Sequence, residues 1–287
     1  MGPQGVRDYG RRRALLFSMG DMAQALLEDQ VLPAGADRPN NADVRIEPTA
    51  RRVRALFAGE PIADSRRVVL VFEPRRLPVY YFPVEDVRMD LLRPTAHSEA
   101  APEGPIARWS IESHGRSVDN VAWSYRQPDE ARAALKDHIA FYWGKLDSWF
   151  EEDDEVFVHP RDPYHRVDVL NSSRHVKVVI DGTVVADTHR PRLLFETSLP
   201  TRYYIPKADV RLDLLEPTDT MTQCPYKGRA SYWSVRVGDE VRKDLVWGYP
   251  FPIPECSKIE NLLCFYNEHL DIYVDGELQP RPKTPWS

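Results

Sequence analysis

The feature that most constrains the fold is an internal repeat. When the chain is shifted by 123 residues, positions 53–95 align without a gap with positions 176–218. Further on the shift becomes 124, and three aromatic residues of the first copy match three of the second: Trp109, Trp123 and Tyr125 against Trp233, Trp247 and Tyr249. The first copy therefore lacks one residue between positions 95 and 109. A repeat of this length predicts two similar units rather than one large domain.

The repeat divides the chain into four parts. We assign an N-terminal arm to residues 1–43, a first repeat to 44–156, a linker to 157–166 and a second repeat to 167–287. The arm has no hydrophobic periodicity beyond a short helix predicted at 21–29. The linker contains two prolines among charged residues, which is typical of a domain boundary.

Both repeats have the pattern of short antiparallel strands. Residues 176–186 alternate between apolar and polar side chains on both sides of Asp181-Gly182, which predicts a β-hairpin. A second hairpin turn is predicted at Gly238-Asp239, and further strands at 192–196, 202–205 and 210–215. The chain has 25 prolines against 14 glycines, and the prolines fall between the apolar runs, where they end strands. We expect an all-β chain with little helix, apart from a possible segment at 129–137.

Composition excludes several classes of protein. The net charge of −6 does not favour binding to nucleic acid. No apolar run approaches the roughly 20 residues of a membrane span. The three cysteines, at 224, 256 and 264, form neither a disulfide framework nor a CxxC zinc pair, and they agree with a cytoplasmic protein. The eight histidines show no ligand spacing and there is no glycine-rich phosphate loop, so we predict no metal and no cofactor.

The two copies differ most in one loop. The second copy has the segment Cys224 to Gly228, Cys-Pro-Tyr-Lys-Gly, whereas the first has Ala-Ala-Pro-Glu-Gly at 100–104. Cys224 is a candidate catalytic residue, as a nucleophile or a redox group, because the nearby Lys227 favours the thiolate. His189 is the nearest candidate base on the matching framework. Drift in a surface loop explains the same difference without any function.

Aromatic residues form the second candidate site. Trp233, Trp247 and Tyr249 fall on the two strands of one predicted hairpin, and Tyr204 can join them from a neighbouring strand. Aromatics at such positions either belong to the core or line a ligand pocket. In the pocket interpretation, Cys224, Tyr226, Lys227 and Glu196 lie at the rim. The alternating charges of Asp209, Arg211 and Asp213 indicate an ion network rather than a catalytic carboxylate pair.

Several segments of the second repeat resemble one known family. They are Val185–Thr188, Phe195-Glu196, Tyr203–Pro206, Asp209–Arg211, Cys224–Trp233 and Val246–Pro250. The pattern is similar to the domain of unknown function family 427, which also carries a nucleotidyltransferase-like label. The resemblance covers both repeats, although the first departs at the cysteine loop. It implies a β-tent fold, in which two antiparallel sheets meet at an angle, and the two units then pack as an internal pseudo-dimer.

We therefore predict a small-molecule-binding double β-tent protein, with an aromatic-lined pocket in the second repeat. Two alternatives stay open at this stage: an enzyme that uses Cys224, and a structural or protein-interaction module. The expected partner is a small molecule, with no nucleic acid and no membrane. The expected assembly is a monomer with an internal pseudo-dimer, or a weak homodimer.

Overall fold

Antiparallel β-strands make up both repeats in a computed structural model, which describes residues 43–74, 76–95, 99–101, 104–284 and 287. The strands of the first repeat are β1 Arg45–Pro48, β2 Val53–Phe57, β3 Glu60–Ser65, β4 Val69–Phe72, β5 Val79–Pro83, β6 Leu92–Pro94, β7 Glu99–Ala101, β8 Gly104–Ser113, β9 Arg116–Tyr125, β10 His138–Phe141, β11 Ser148–Glu151 and β12 Asp154–Val156. The predicted arm, apart from residue 43, and its helix at 21–29 lie outside the described residues.

The second repeat follows the same order, but the single strand β18 stands where the first repeat has β6 and β7, and its described residues contain no 3₁₀ segment corresponding to Trp143–Lys145. Its strands are β13 Val167–Asn171, β14 Val176–Ile180, β15 Thr183–Thr188, β16 Arg192–Glu196, β17 Arg202–Ile205, β18 Leu215–Cys224, β19 Gly228–Val237, β20 Glu240–Pro252, β21 Leu263–Phe265, β22 Asp271–Val274 and β23 Glu277–Leu278. The helices of the described residues are short 3₁₀ segments: Val84–Asp86, Met89–Leu91, Glu130–Leu135, Trp143–Lys145, Lys207–Asp209, Leu212–Leu214 and Pro254–Ile259.

Each repeat contains one large and one small antiparallel sheet. The large sheet of the second repeat has the order β13-β16-β17-β21-β20-β19-β18, and the small one β15-β14-β22-β23. The first repeat matches with β1-β4-β5-β10-β9-β8-β6, where β7 also pairs with β8, and with β12-β11-β2-β3. The prediction of an all-β chain of two tandem antiparallel units is confirmed. The β-tent assignment and the internal pseudo-dimer stay predictions.

Turn chemistry fixes the strand pairing. Asp181 and Gly182 have φ angles of +48° and +78°, the left-handed pair that a two-residue hairpin turn requires. The predicted strand over 210–215 is wrong, because Leu212–Leu214 is a 3₁₀ turn and β18 begins only at Leu215. There the Leu214 amide donates to the carbonyl of Arg211, so the chain bends instead of extending.

The large sheet of the second repeat is covered on both faces. One face packs against the small sheet around Val178, Val235 and Ile272. The other face carries an aromatic layer that includes Tyr204, Trp247 and Tyr249, together with Cys256 and Ile259 from the 3₁₀ segment Pro254–Ile259. The functional candidates are therefore distributed over two different faces of one sheet. No helix among the described residues is long and apolar enough to cross a membrane.

The predicted linker contacts both repeats. The Tyr164 hydroxyl donates to Glu47 over 2.8 Å, and the Arg45 guanidinium lies 4.9 Å from the Tyr164 ring. On the other side, the Asp162 amide donates to the Tyr226 hydroxyl over 2.9 Å. The segment therefore holds the turn between β18 and β19 as well as the edge of the first repeat.

Candidate functional site

The aromatic candidates on β17 and β20 form a packed layer. The Trp247 indole N–H donates to the Tyr204 hydroxyl over 3.2 Å, and its ring lies 4.5 Å from that of Tyr266. Trp247, Tyr249 and Tyr204 are all buried. The first repeat contains the same arrangement, since Trp123 donates to Tyr81 over 3.1 Å. A layer that both copies keep is a core feature, and the rings face each other rather than an open space.

Trp233 lies on the opposite face of the sheet. Across the β19–β20 ladder it is paired with Val246, whereas Trp247 is paired with Tyr232. Trp233 packs, half-buried, against the core around the small sheet, and the Lys207 ammonium lies 5.9 Å from its ring. The structure therefore does not bring Trp233 together with Trp247 and Tyr249.

Four polar side chains meet at the end of the aromatic layer. We call Cys224, Lys227, Glu196 and His165 the thiol–carboxylate cluster. The Lys227 ammonium donates to Glu196 Oε2, and His165 Nε2 lies 3.0 Å from Glu196 Oε1. The Glu196 side chain, at the end of β16, is only 5% exposed, and those of Lys227 and His165 are 11% and 10% exposed. A buried carboxylate thus has two nitrogen partners.

Electrostatics keep this carboxylate ionised. Burial alone would raise the pKa of Glu196, but Lys227 and His165 outweigh it and lower the pKa from 4.5 to about 2. Burial opposes the charge on Lys227, yet the pKa of its ammonium is raised because Cys224 and Glu196 are close. The pair is therefore charged at neutral pH, as buried ions with good partners are.

Cys224 is the member of the cluster that lies at the end of β18. It is half-buried, whereas Cys256 and Cys264 are buried. Burial raises the pKa of the Cys224 thiol, and Lys227 only partly opposes this. Burial likewise raises the pKa of Cys256 to about 11 and that of Cys264 to about 12. At neutral pH all three residues are thiols rather than thiolates.

The turn after Cys224 is held from several sides. Tyr226 stacks on His165 with ring centroids 4.1 Å apart, and its carbonyl accepts the Cys256 thiol over 3.2 Å. The Lys227 carbonyl accepts the Ile253 amide over 3.1 Å. Gly228 has a φ of +104°, and a Cβ there would lie 3.2 Å from the Phe251 carbonyl oxygen. Glycine is therefore required where the turn meets β20.

The one-residue difference between the repeats lies in this turn. In the second repeat Cys224 pairs with Gly228, which leaves three residues in the turn. In the first repeat Ala101 pairs with Gly104, which leaves two. The repeat with the longer turn is therefore also the one in which Lys227 lies beside Glu196.

The first repeat neutralises the equivalent carboxylate in another way. Glu73 corresponds to Glu196 and is also buried. The Arg132 guanidinium donates to Glu73 Oε1 over 2.7 Å, and Arg76 donates to Oε2 over 2.8 Å. Arg132 lies 124 residues before Cys256, so the second repeat has a thiol where the first has the main cation. Both repeats contain the buried carboxylate, but its cationic partner is Arg132 in the first and Lys227 in the second.

His189, the candidate base, does not lie at the thiol–carboxylate cluster but next to His175. Its ring stacks on that of His175 with centroids 4.2 Å apart, and His175 contacts Asp187. These three residues form the group of potential metal ligands found among the described residues. The histidine that does lie at the thiol–carboxylate cluster is His165, which sequence reasoning missed. It lies in the predicted linker, where no comparison between the copies could single it out.

The remaining acidic candidates form ion pairs. Asp209 accepts two hydrogen bonds of 3.0 Å from Arg190. Arg211 pairs with Asp213 over 2.6 Å, and both side chains are exposed. These are two separate ion pairs rather than one network along the strand, and in each the carboxylate is engaged by a guanidinium.

The comparison with protein families agrees with the repeat. The family described as Domain of unknown function (DUF427) matches residues 45–152 and again residues 168–276. The chain belongs to the DUF427 family. It therefore contains two DUF427 domains in tandem, with the thiol–carboxylate cluster in the second. No curated protein matches the chain.

Proposed function

We propose that the second DUF427 domain binds a small molecule at the thiol–carboxylate cluster. The ligand would contact Cys224, Tyr226 and Lys227 at the end of the sheet. Glu196 would fix the Lys227 ammonium, and the buried rings of Tyr204, Trp247 and Tyr249 would support the site from below. Trp233, on the other face, would take no part.

The observation that carries this proposal is the asymmetry between two otherwise matching domains. Both bury a carboxylate at the same place, so the ion pair by itself is explained by the fold. Only the second domain adds a half-buried thiol, a tyrosine and a lysine in an enlarged turn. Polar groups that converge beside an aromatic layer are the usual means of orienting a small ligand.

Binding is favoured over covalent catalysis by the state of the thiol. A nucleophilic cysteine needs a lowered pKa or a free base, and burial raises the pKa of Cys224. The two nitrogen groups of the cluster, on Lys227 and His165, are both engaged by Glu196. In this arrangement the thiol serves as a contact surface.

A thermal-shift screen tests the proposal. The panel would contain nucleotides, nucleosides, amino acids, organic acids and flat heterocycles, each added to the full chain. Cys224→Leu places a larger side chain where the ligand would contact the thiol. Cys224→Ala is the matched control, because the first domain has Ala101 at this position. We expect a compound that raises the melting temperature of the wild type and of Cys224→Ala, and raises that of Cys224→Leu much less. If no compound acts, or if all three proteins respond equally, the proposal is wrong.

A further inference from the structure

A second cluster lies on the outer face of the β14–β15 hairpin. The ladder pairs Val176 with Thr188, so His175 and His189 follow at facing positions, and Asp187 shares the face of His189. His175 Nε2 lies 2.7 Å from Asp187 Oδ1. One ligand atom from each of the three residues lies within 4.8 Å of the others. Residues that are 14 positions apart in sequence are thus brought to one small patch.

The first domain has the same carboxylate with different neighbours. At the corresponding positions it has Arg52, Asp64 and Arg66. Arg52 Nε donates to Asp64 Oδ1 over 2.7 Å, which makes an ordinary ion pair. A guanidinium stays protonated and cannot coordinate a metal, whereas a neutral imidazole can. Both arginines are histidines in the second domain, so at both positions a side chain that can coordinate a metal stands where the first domain has one that cannot.

We propose that His175, Asp187 and His189 form a binding site for a divalent transition-metal ion such as Zn²⁺ or Ni²⁺. Two imidazoles and one carboxylate suit these ions, while Mg²⁺ and Ca²⁺ require oxygen ligands. Three protein ligands leave at least one coordination position for water or an external group. This site is independent of the ligand-binding site proposed above, because it lies on the small sheet.

The local structure permits the small side-chain adjustment that a metal requires. Metal–ligand distances near 2 Å place ligand atoms about 3–4 Å apart. The His175–Asp187 contact of 2.7 Å would lengthen slightly as the ion replaced the hydrogen bond, and the three ligand atoms already lie within 4.8 Å of one another. The His175 and Asp187 side chains are 33% and 52% exposed, so they can rotate without repacking the core. The backbone below them is fixed, since the His175 amide donates to Asp275 over 2.9 Å. His189 has no hydrogen-bond or ion-pair partner in the part of the chain that the structure describes.

Titration calorimetry with Ni²⁺ tests the site directly. The protein is the full chain without an affinity tag, treated with a chelator and desalted. The decisive variant is H175R/H189R, which reproduces the arginines of the first domain and should fold with an Arg–Asp pair. His189→Gln and Asp187→Asn each remove one ligand from an exposed position. Cys224→Ala is the control that excludes binding by the half-buried thiol.

We expect the wild type and Cys224→Ala to bind one Ni²⁺ ion per chain with the same affinity. H175R/H189R should bind at least tenfold more weakly, and each single variant should also lose affinity. Ni²⁺ should raise the melting temperature of the wild type but not that of H175R/H189R. If H175R/H189R or both single variants bind Ni²⁺ as tightly as the wild type, or if the wild type does not bind it, the site does not exist.

Discussion

Removal of the Lys227 charge should destabilise the second domain. In Lys227→Met the side chain keeps most of its apolar length, but Glu196 loses the ammonium that compensates its burial. The Glu196 side chain is only 5% exposed, so water cannot replace the lost partner. A buried charge without its counter-ion is among the few single changes that cost several kcal/mol.

The size of the effect follows from the state of Glu196. Its folded-state pKa of about 2 lies below its ordinary value of 4.5. At 1.36 kcal/mol for each pH unit, this difference corresponds to about 3 kcal/mol of stabilisation at neutral pH. His165 supplies part of it, so the loss of Lys227 alone should cost about 2–3 kcal/mol.

Urea denaturation, followed by tryptophan fluorescence and circular dichroism, measures this loss. Hydrogen exchange read by mass spectrometry localises it to peptides of the second domain. The double variant K227M/E196Q is the matched control, since it removes both charges and should be more stable than Lys227→Met alone. If Lys227→Met unfolds at the same urea concentration as the wild type, or if the double variant is no better than the single one, the ion pair does not stabilise the fold.

Four further results are expected. Because the folded pKa of Glu196 lies below its unfolded value, its contribution to stability is complete above pH 4.5 and is lost as the pH falls towards 2. In urea denaturation across this range, the free energy of unfolding should therefore fall more steeply with decreasing pH for the wild type than for K227M/E196Q. Arg132→Cys removes the buried cation beside Glu73 and should weaken the first domain by about 3 kcal/mol, with hydrogen exchange in the second domain unchanged. C256R/K227M supplies an arginine at the position of Arg132 and should recover most of the stability lost in Lys227→Met; no recovery in urea would show that the two domains do not use equivalent positions. Iodoacetamide should modify Cys224 before Cys256 and Cys264, because Cys224 alone is half-buried. The modification should be slower than that of a free cysteine and should become faster as the pH rises. Peptide mass spectrometry measures these rates, and rapid modification of Cys224 at neutral pH would instead favour a catalytic thiol.

The sequence predicts local structure well where turn chemistry and alternation agree. The strands at 192–196 and 202–205 have the bounds that the alternation indicates, and the Asp181-Gly182 turn has the required φ angles. The strand expected over 210–215 is absent, because the 3₁₀ segment Leu212–Leu214 occupies its middle and β18 begins only at Leu215. Alternating charges do not distinguish an extended chain from one that bends at each ion pair.

The candidate site was harder to predict, because it depends on register and on distant segments. Trp233 and Trp247 fall on the same hairpin, but a shift of one residue in the ladder moves a side chain to the other face. The pairing of Trp233 with Val246 places it away from the aromatic layer. His165 reaches Glu196 from outside the aligned repeats, so only the folded chain reveals it.

The two domains solve one electrostatic problem with different residues. Each buries a glutamate at the end of the fourth strand of its repeat or immediately after it, and each must place a cation beside it. The first domain uses Arg132 from a 3₁₀ segment, and its turn has two residues. In the second domain a third turn residue accompanies Lys227, which leaves the position of Arg132 to a small thiol, Cys256. In the second domain the cation therefore lies at the end of the sheet, beside Cys224 and Tyr226. The loop difference thus goes together with a difference at a buried position 29 residues further along the chain. The exchange of cations accounts for Lys227 by electrostatics, so the proposed ligand site depends on Cys224 and Tyr226, which this exchange does not explain.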